Sequence, residues 1–127
     1  MTWNERVERA LEGKVRVEWD MRPRDQIMGY EGLKPSDLKK LIEEGLADPN
    51  ERHDLGPRLK ELAELPDDCV SLGGVVVFQP RPDYRISVDT VIVCDITEID
   101  PDLINEWLSS ADEIEYTPPY QFRFWWD

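Results

Sequence analysis

VSLGGVVVFQ at Val70–Gln79 and YRISVDTVIVCDIT at Tyr84–Thr97 stand on either side of Pro80-Arg81-Pro82-Asp83. Both arms are rich in β-branched residues, and a short proline-containing break between two such arms predicts an antiparallel hairpin. Setting Gln79 opposite Tyr84 pairs Val77 with Ile86, Val75 with Val88, Gly73 with Thr90 and Ser71 with Ile92. The other face then carries Phe78 with Arg85, Val76 with Ser87 and Gly74 with Asp89. Apolar pairs collect on the first face, which is therefore the expected buried one. The same register sets Cys69 opposite Cys94, unless a bulge at Gly73-Gly74 shifts the count by one and separates them. In a reducing cytosol the two cysteines read as buried, unreactive thiols, with a cross-strand disulfide as the lesser alternative.

Helices flank the hairpin. Thr2-Trp3-Asn4-Glu5 has the form of a capping box, Trp3, Val7, Ala10 and Leu11 follow at helical spacing, and Gly13 ends that helix. Val15, Val17 and Trp19 alternate as a short strand. Met21–Leu33, with Pro23, Gly29 and Gly32, reads as a long loop. A second helix is expected from Ser36 or Asp37 to Glu44, and a third opens at Pro57 and stops before Pro66. Asp100 caps a fourth helix with Pro101 in its first turn, and an extended C-terminal region follows, bent at Pro118-Pro119. The order αβααββαβ predicts a single α+β domain over 1–127, with a mainly antiparallel sheet and helices on one face. The first six elements also follow winged-helix order, with Pro80–Asp83 as wing tip. That alternative lacks a basic face, because its would-be recognition helix sets Glu61 and Glu64 beside Arg58 and Lys60.

The chain has 127 residues, 40% of them hydrophobic, with five tryptophans, which argues against disorder. No apolar run approaches the roughly 18 to 20 residues of a membrane span. The charged N-terminus has no signal-peptide core, so a cytoplasmic protein is expected. The net charge is −13. Such a surface repels phosphate backbones and disfavours nucleic-acid binding. The acidity fits solubility, a saline cytoplasm (ten Arg against five Lys), or a basic protein partner.

Catalytic signatures are absent: there is no phosphate loop, no G-x-S-x-G and no H-E-x-x-H. One histidine and two distant cysteines predict no metal and no cofactor. His53 lies in a polar loop and reads as solvated or capping. Asp95 follows the second hairpin arm and is expected to emerge into solvent. A cleft joining Asp95 to Arg22 and Arg24 would make the chain a small enzyme or ligand binder, with the two guanidiniums clamping an anion. A hard-cation site of Asp20, Asp89 and Asp95 is the remaining carboxylate arrangement.

The C-terminal YQFRFWWD, Tyr120–Asp127, alternates Tyr120, Phe122, Phe124 and Trp126 against Gln121, Arg123, Trp125 and Asp127. The first set is expected to close the core. Arg123 and Trp125, with Trp126 beside them, are the candidate interaction residues, on a strand read as an edge that a partner would cover. The expectation is a non-enzymatic, acidic protein–protein interaction domain of inhibitor or immunity type. Its partner is a basic protein, or a second copy in a homodimer.

Overall fold

A computed structural model describes residues 1–127. In chain order the elements are α1 Trp3–Ala10, β1 Val15–Met21, α2 Arg22–Asp25, β2 Ile27–Leu33, α3 Pro35–Glu43, α4 Leu59–Leu62, β3 Val70–Val77 and β4 Arg85–Val93. A 3-10 turn Ile96–Glu98, α5 Pro101–Ser110, β5 Glu113–Thr117 and β6 Gln121–Trp125 complete the chain. All six strands form one antiparallel sheet in the order β1-β2-β3-β4-β6-β5. The α+β class holds. The winged-helix alternative does not, because β1 pairs with β2 at one end of a six-stranded sheet and does not pair with the hairpin.

Local chemistry sets the helix boundaries. The capping box forms as expected: Thr2 Oγ1 accepts the Glu5 N–H at 3.1 Å, and the Glu5 carboxylate turns back to Thr2. Gly13 leaves α1 at φ +82°, a conformation that suits glycine. Asp100 accepts the Asp102 N–H at 2.9 Å and Pro101 occupies the first turn of α5. The third helix is shorter than expected, a single turn from Leu59.

The expected loop at Met21–Leu33 contains the helical turn α2 and the strand β2, joined edge to edge with β1 and β3. Its glycines serve the sheet in two different ways, one by a close approach and one by a positive φ. A β-carbon at Gly29 would stand 2.7 Å from Cβ of Trp19, and Gly32 sits at φ +75° where the β2–β3 register shifts.

The hairpin is divided by a bulge. From Val70↔Val93 to Gly73↔Thr90 the expected register holds. Past that point Asp89 is the extra residue of β4, so Gly74 meets Val88, Val75 meets Ser87 and Val76 meets Ile86. The cysteine end therefore stays aligned, and the loop end is the one that shifts. The expected buried face is corrected as well. Val70, Leu72, Val76, Phe78, Ile86, Val88, Val91 and Val93 belong to the core, whereas Val75 and Val77 alternate onto the other face. Val77 is buried there, between Ile27 and Arg85 on its neighbouring strands.

Val7, Leu38, Leu41, Leu59, Leu62, Ile104 and Trp107 bring α1, α3, α4 and α5 onto that core. Burial of such apolar side chains is the dominant favourable term in folding, about 25 cal/mol per Å². The opposite face has no helix over it. A shallow groove of about 450 Å³ runs across it past Ser71, Gly73 and Thr90, with Arg16 and Arg123 on its flanks.

Candidate functional site

β6 is not an edge. It lies between β4 and β5, with Trp125 opposite both Thr90 and Glu113 and Arg123 opposite Ile92 and Glu115. The alternation of the tail holds from Phe122 onward, since Phe124 and Trp126 are fully buried and Phe122 packs against them, but Tyr120, which precedes β6, is exposed and does not close the core. Trp126 is thereby removed from the interaction surface. Its N–H donates to the Asp89 carbonyl at 2.9 Å, its Nε1 donates to Ser110 Oγ at 3.1 Å, and its ring meets Trp107 edge-on. Arg123 and Trp125 do lie on the helix-free face, half-buried. Arg123 Nη1 reaches Glu115 at 3.2 Å and Glu113 at 3.7 Å, so its charge is already balanced within the sheet.

The true edge on this side is β5, Glu-Ile-Glu-Tyr-Thr, in which every residue is exposed. Glu113 and Glu115 share the helix-free face with Trp125 and Arg123. Ile114 and Tyr116 occupy the other face opposite Phe124 and Phe122, and the Tyr116 and Phe122 rings lie 4.8 Å apart. The outer backbone of β5 pairs with no strand. Tyr116, at 54% exposure, and Tyr120, at 51%, extend an apolar strip along this end.

A field accompanies the edge. Between Arg85 and Arg123 the chain has no lysine, arginine or histidine, but it carries Asp89, Asp95, Glu98, Asp100, Asp102, Glu106, Asp112, Glu113 and Glu115. Seven of these nine are exposed, on or beside α5 and β5.

The alternative cleft does not assemble. Asp95 is spent as the cap of the 3-10 turn, accepting the Thr97 N–H at 2.9 Å and the Thr97 hydroxyl at 2.6 Å. Arg22 is clamped by Asp20 at 2.8 and 2.7 Å and by Glu8 at 3.0 Å. The Arg22 hydrogen bonds hold the Asp20 carboxyl below its ordinary range. Arg24 projects into solvent beside Asp25. Asp95 lies at the cysteine end of the hairpin, whereas Arg22 follows Met21, which aligns through Ile27 with Val77 at the far end. Eight strand residues at about 3.4 Å each separate the two ends. The Asp20, Asp89 and Asp95 cation arrangement fails for the same reason, and no cluster of three or more metal-ligating side chains forms.

His53 takes part in an arrangement the sequence did not announce. The loop Ala47–Arg58 fills the β4 edge below the end of β6, with Glu51 3.5 Å from Arg85 and His53 Nδ1 3.3 Å from Ser87 Oγ. Gly56 is pressed between the His53 carbonyl and the Trp126 ring, where a β-carbon would stand 2.9 and 3.3 Å from them. Beside this contact the Asp89 carboxylate accepts the Thr90 hydroxyl at 2.8 Å. Burial pushes the Asp89 carboxyl up, opposed by that hydrogen bond and by His53. Ser87, His53 and Asp89 look like a nucleophile triad by residue type, but Ser87 is only 3% exposed, so its hydroxyl is closed to a substrate. The group closes the sheet edge. Its only signal in the sequence was a polar loop of the right length to run beside β4.

The cysteine expectation is half corrected: Cys69 is buried but Cys94 is exposed, and both are free thiols. No helix is long and apolar enough to cross a membrane. Comparison of the chain with protein-family models, curated proteins and solved structures finds no match.

Proposed function

We propose that this chain is a non-enzymatic interaction domain that docks a basic protein partner along the β5 edge. The observation that carries this reading is a fully exposed edge strand in a sequence interval of nine carboxylates, where the single cation Arg123, on the inner neighbour β6, faces both Glu113 and Glu115 and leaves the edge in net acidic surroundings. An extended segment can add to such an edge through main-chain hydrogen bonds, with alternate side chains meeting the two faces. Lysines or arginines on one side of that segment would meet Glu113 and Glu115. Apolar residues on its other side would meet Ile114 and Tyr116. Opposite fields also speed the encounter, which suits an inhibitor or immunity-type protein that must reach its target first.

The same chemistry weighs against a homodimer through this edge. An antiparallel copy centred on Glu115 would set two Glu115 side chains directly opposite each other, and like charges so placed are destabilising.

The test is binding of a fluorescent ten-residue peptide alternating lysine and valine, with an alternating glutamate–valine peptide as control. Expected are binding by the lysine peptide alone, a loss of affinity with added salt, and a weakening of at least tenfold in the double variant Glu113→Lys, Glu115→Lys. Trp125→Ala is expected to weaken binding with little change in Tm. Equal affinity of the charge-reversed protein for the lysine peptide would end this reading.

A further inference from the structure

The end of the β3–β4 hairpin farthest from its loop holds the two thiols at neighbouring cross-strand positions. Val70 pairs with Val93, and one step further the Cys94 N–H donates to the Cys69 carbonyl at 2.9 Å. Residues directly opposite in an antiparallel pair have Cα atoms about 4.5 to 5.5 Å apart. That separation lies inside the window of about 4.4 to 6.8 Å that a disulfide needs. The bulge that could have broken this alignment falls lower in the hairpin, at Asp89, and leaves it intact. No disulfide joins the pair: both sulfurs are free.

The two thiols differ in access. Cys94 is exposed at a shallow groove lined by Lys34, Asp67 and Asp68, and Cys69 lies in the same groove wall. Cys69 is buried, and its Sγ donates to the Asp95 carbonyl at 3.3 Å. Burial pushes the Cys69 thiol up, and the Cys94 side chain adds to that shift. An oxidant arriving from solvent meets Cys94 first, with Cys69 poised behind it. This is the arrangement of a sensing thiol and a resolving thiol.

We propose that Cys94 and Cys69 form a thiol–disulfide modification site, oxidised by peroxide at Cys94 and closed by Cys69. In the first step the Cys94 thiolate attacks one oxygen of hydrogen peroxide. An S–O bond forms, the O–O bond breaks, and the departing hydroxide takes up the thiol proton as water. In the second step the Cys69 sulfur attacks the Cys94 sulfur. The S–S bond forms, the S–O bond breaks, and hydroxide leaves as water with the Cys69 proton. Two sulfurs give up two electrons in total, and peroxide is reduced to two waters. The Cys69 S–H donor to the Asp95 carbonyl is consumed, and the hairpin is tied at its open end.

The experiment treats the folded protein with hydrogen peroxide and reads intact mass, free thiol content and Tm. Expected for the wild type are a loss of two hydrogen masses in the monomer, disappearance of both titratable thiols, recovery of both with a reductant, and a rise in Tm of several degrees. In Cys69→Ser the Cys94 sulfenic acid should persist and be captured by dimedone. In Cys94→Ser the remaining thiol should stay reduced for as long as the chain is folded, and become reactive in denaturant. Two outcomes would overturn the proposal. One is a wild type that keeps both thiols after peroxide. The other is accumulation of sulfinic acid on Cys94 while Cys69 remains titratable.

Discussion

A β-carbon added to Gly74 would stand 2.0 Å from the carbonyl oxygen of Ser87. That oxygen also accepts the buried Tyr30 hydroxyl at 2.7 Å, so it has no freedom to move aside. The bulge at Asp89 brings the two backbones this close, and only a residue without a side chain fits between them. Gly74→Ala is therefore expected to cost about 3 kcal/mol, as an overpacked core position does. At Gly73 the nearest atom to an added β-carbon is the Tyr30 carbonyl oxygen at 3.2 Å, a contact that small shifts can relieve. Gly73→Ala should cost about 1 kcal/mol. Urea denaturation of the two single variants tests the contrast, and equal losses would contradict the bulge geometry.

The same pair of glycines marks how far the sequence could be read. Their adjacency signals a bulge, but periodicity does not say which strand carries the extra residue. Asp89 carries it, so every pairing between it and the loop moves by one, and Ile86 and Val88 join Val91 and Val93 on the core face, where Ile86 meets Val76 and not Val77. Elements with a local cause were legible: the Thr2–Glu5 capping box, Pro101 in the first turn of α5, and the alternation of Phe122, Phe124 and Trp126. β2 was not, because Gly29 and Gly32 read as loop residues until Trp19 is seen lying against one of them. The edge was misassigned for a related reason. Ile114, Tyr116 and Thr117 suit Glu113–Thr117 to a strand, but nothing in the segment says that it lies outside β6 and β6 against β4. Propensity within a segment carries no information about which segment it will lie beside.

Asn4 joins the first helix to the hairpin loop across a sequence separation of 75. Its Nδ2 donates to the Gln79 carbonyl at 2.9 Å while its Oδ1 accepts the Gln79 N–H at 3.0 Å. Asn4→Ala removes both partners at once and leaves two part-buried backbone groups unsatisfied. The expected loss is about 2 kcal/mol. Asn4→Asp should not restore stability, because a carboxylate facing the Gln79 carbonyl has no proton to give. Thermal unfolding of both variants checks this, and a wild-type Tm for Asn4→Asp would show the contact to be dispensable.

Asp89 gives a pH dependence of unusual sign. Its carboxyl is raised in the folded state, chiefly by burial, against the opposing effects of the Thr90 hydroxyl, His53 and Arg16. The folded chain therefore binds this proton more tightly than the unfolded chain, whose aspartates titrate near about 3.9. Stability from this group is fully present below that value, falls as pH rises through the raised folded value, and is constant above it. Asp89→Asn keeps an oxygen for the Thr90 hydroxyl and removes the titration. The variant is expected to gain in Tm over wild type at pH 7, with the difference shrinking towards pH 3.5. Comparing the two proteins across that range cancels the opposite trend of carboxyls such as Asp20, which hydrogen bonding to Arg22 lowers. A difference in Tm that does not change with pH would show that Asp89 titrates normally.

Trp125 and Trp126 are neighbours in sequence with opposite placements. Trp126 is fully buried, set edge-on to Trp107 and bonded through Nε1 to Ser110, whereas Trp125 lies half-buried on the helix-free face. Trp126→Ala is expected to cost about 3 to 5 kcal/mol, the range for emptying a large aromatic site in a core. Trp126→Phe keeps most of the ring volume and loses the Nε1 hydrogen bond, for about 1 kcal/mol in addition to the reduced packing. Trp125→Ala should cost about 1 kcal/mol, since much of its surface already meets water. Chemical denaturation of the three variants separates the roles. If Trp125→Ala destabilises as much as Trp126→Ala, Trp125 is a core residue, and the face it shares with Glu113 loses its claim as a docking surface.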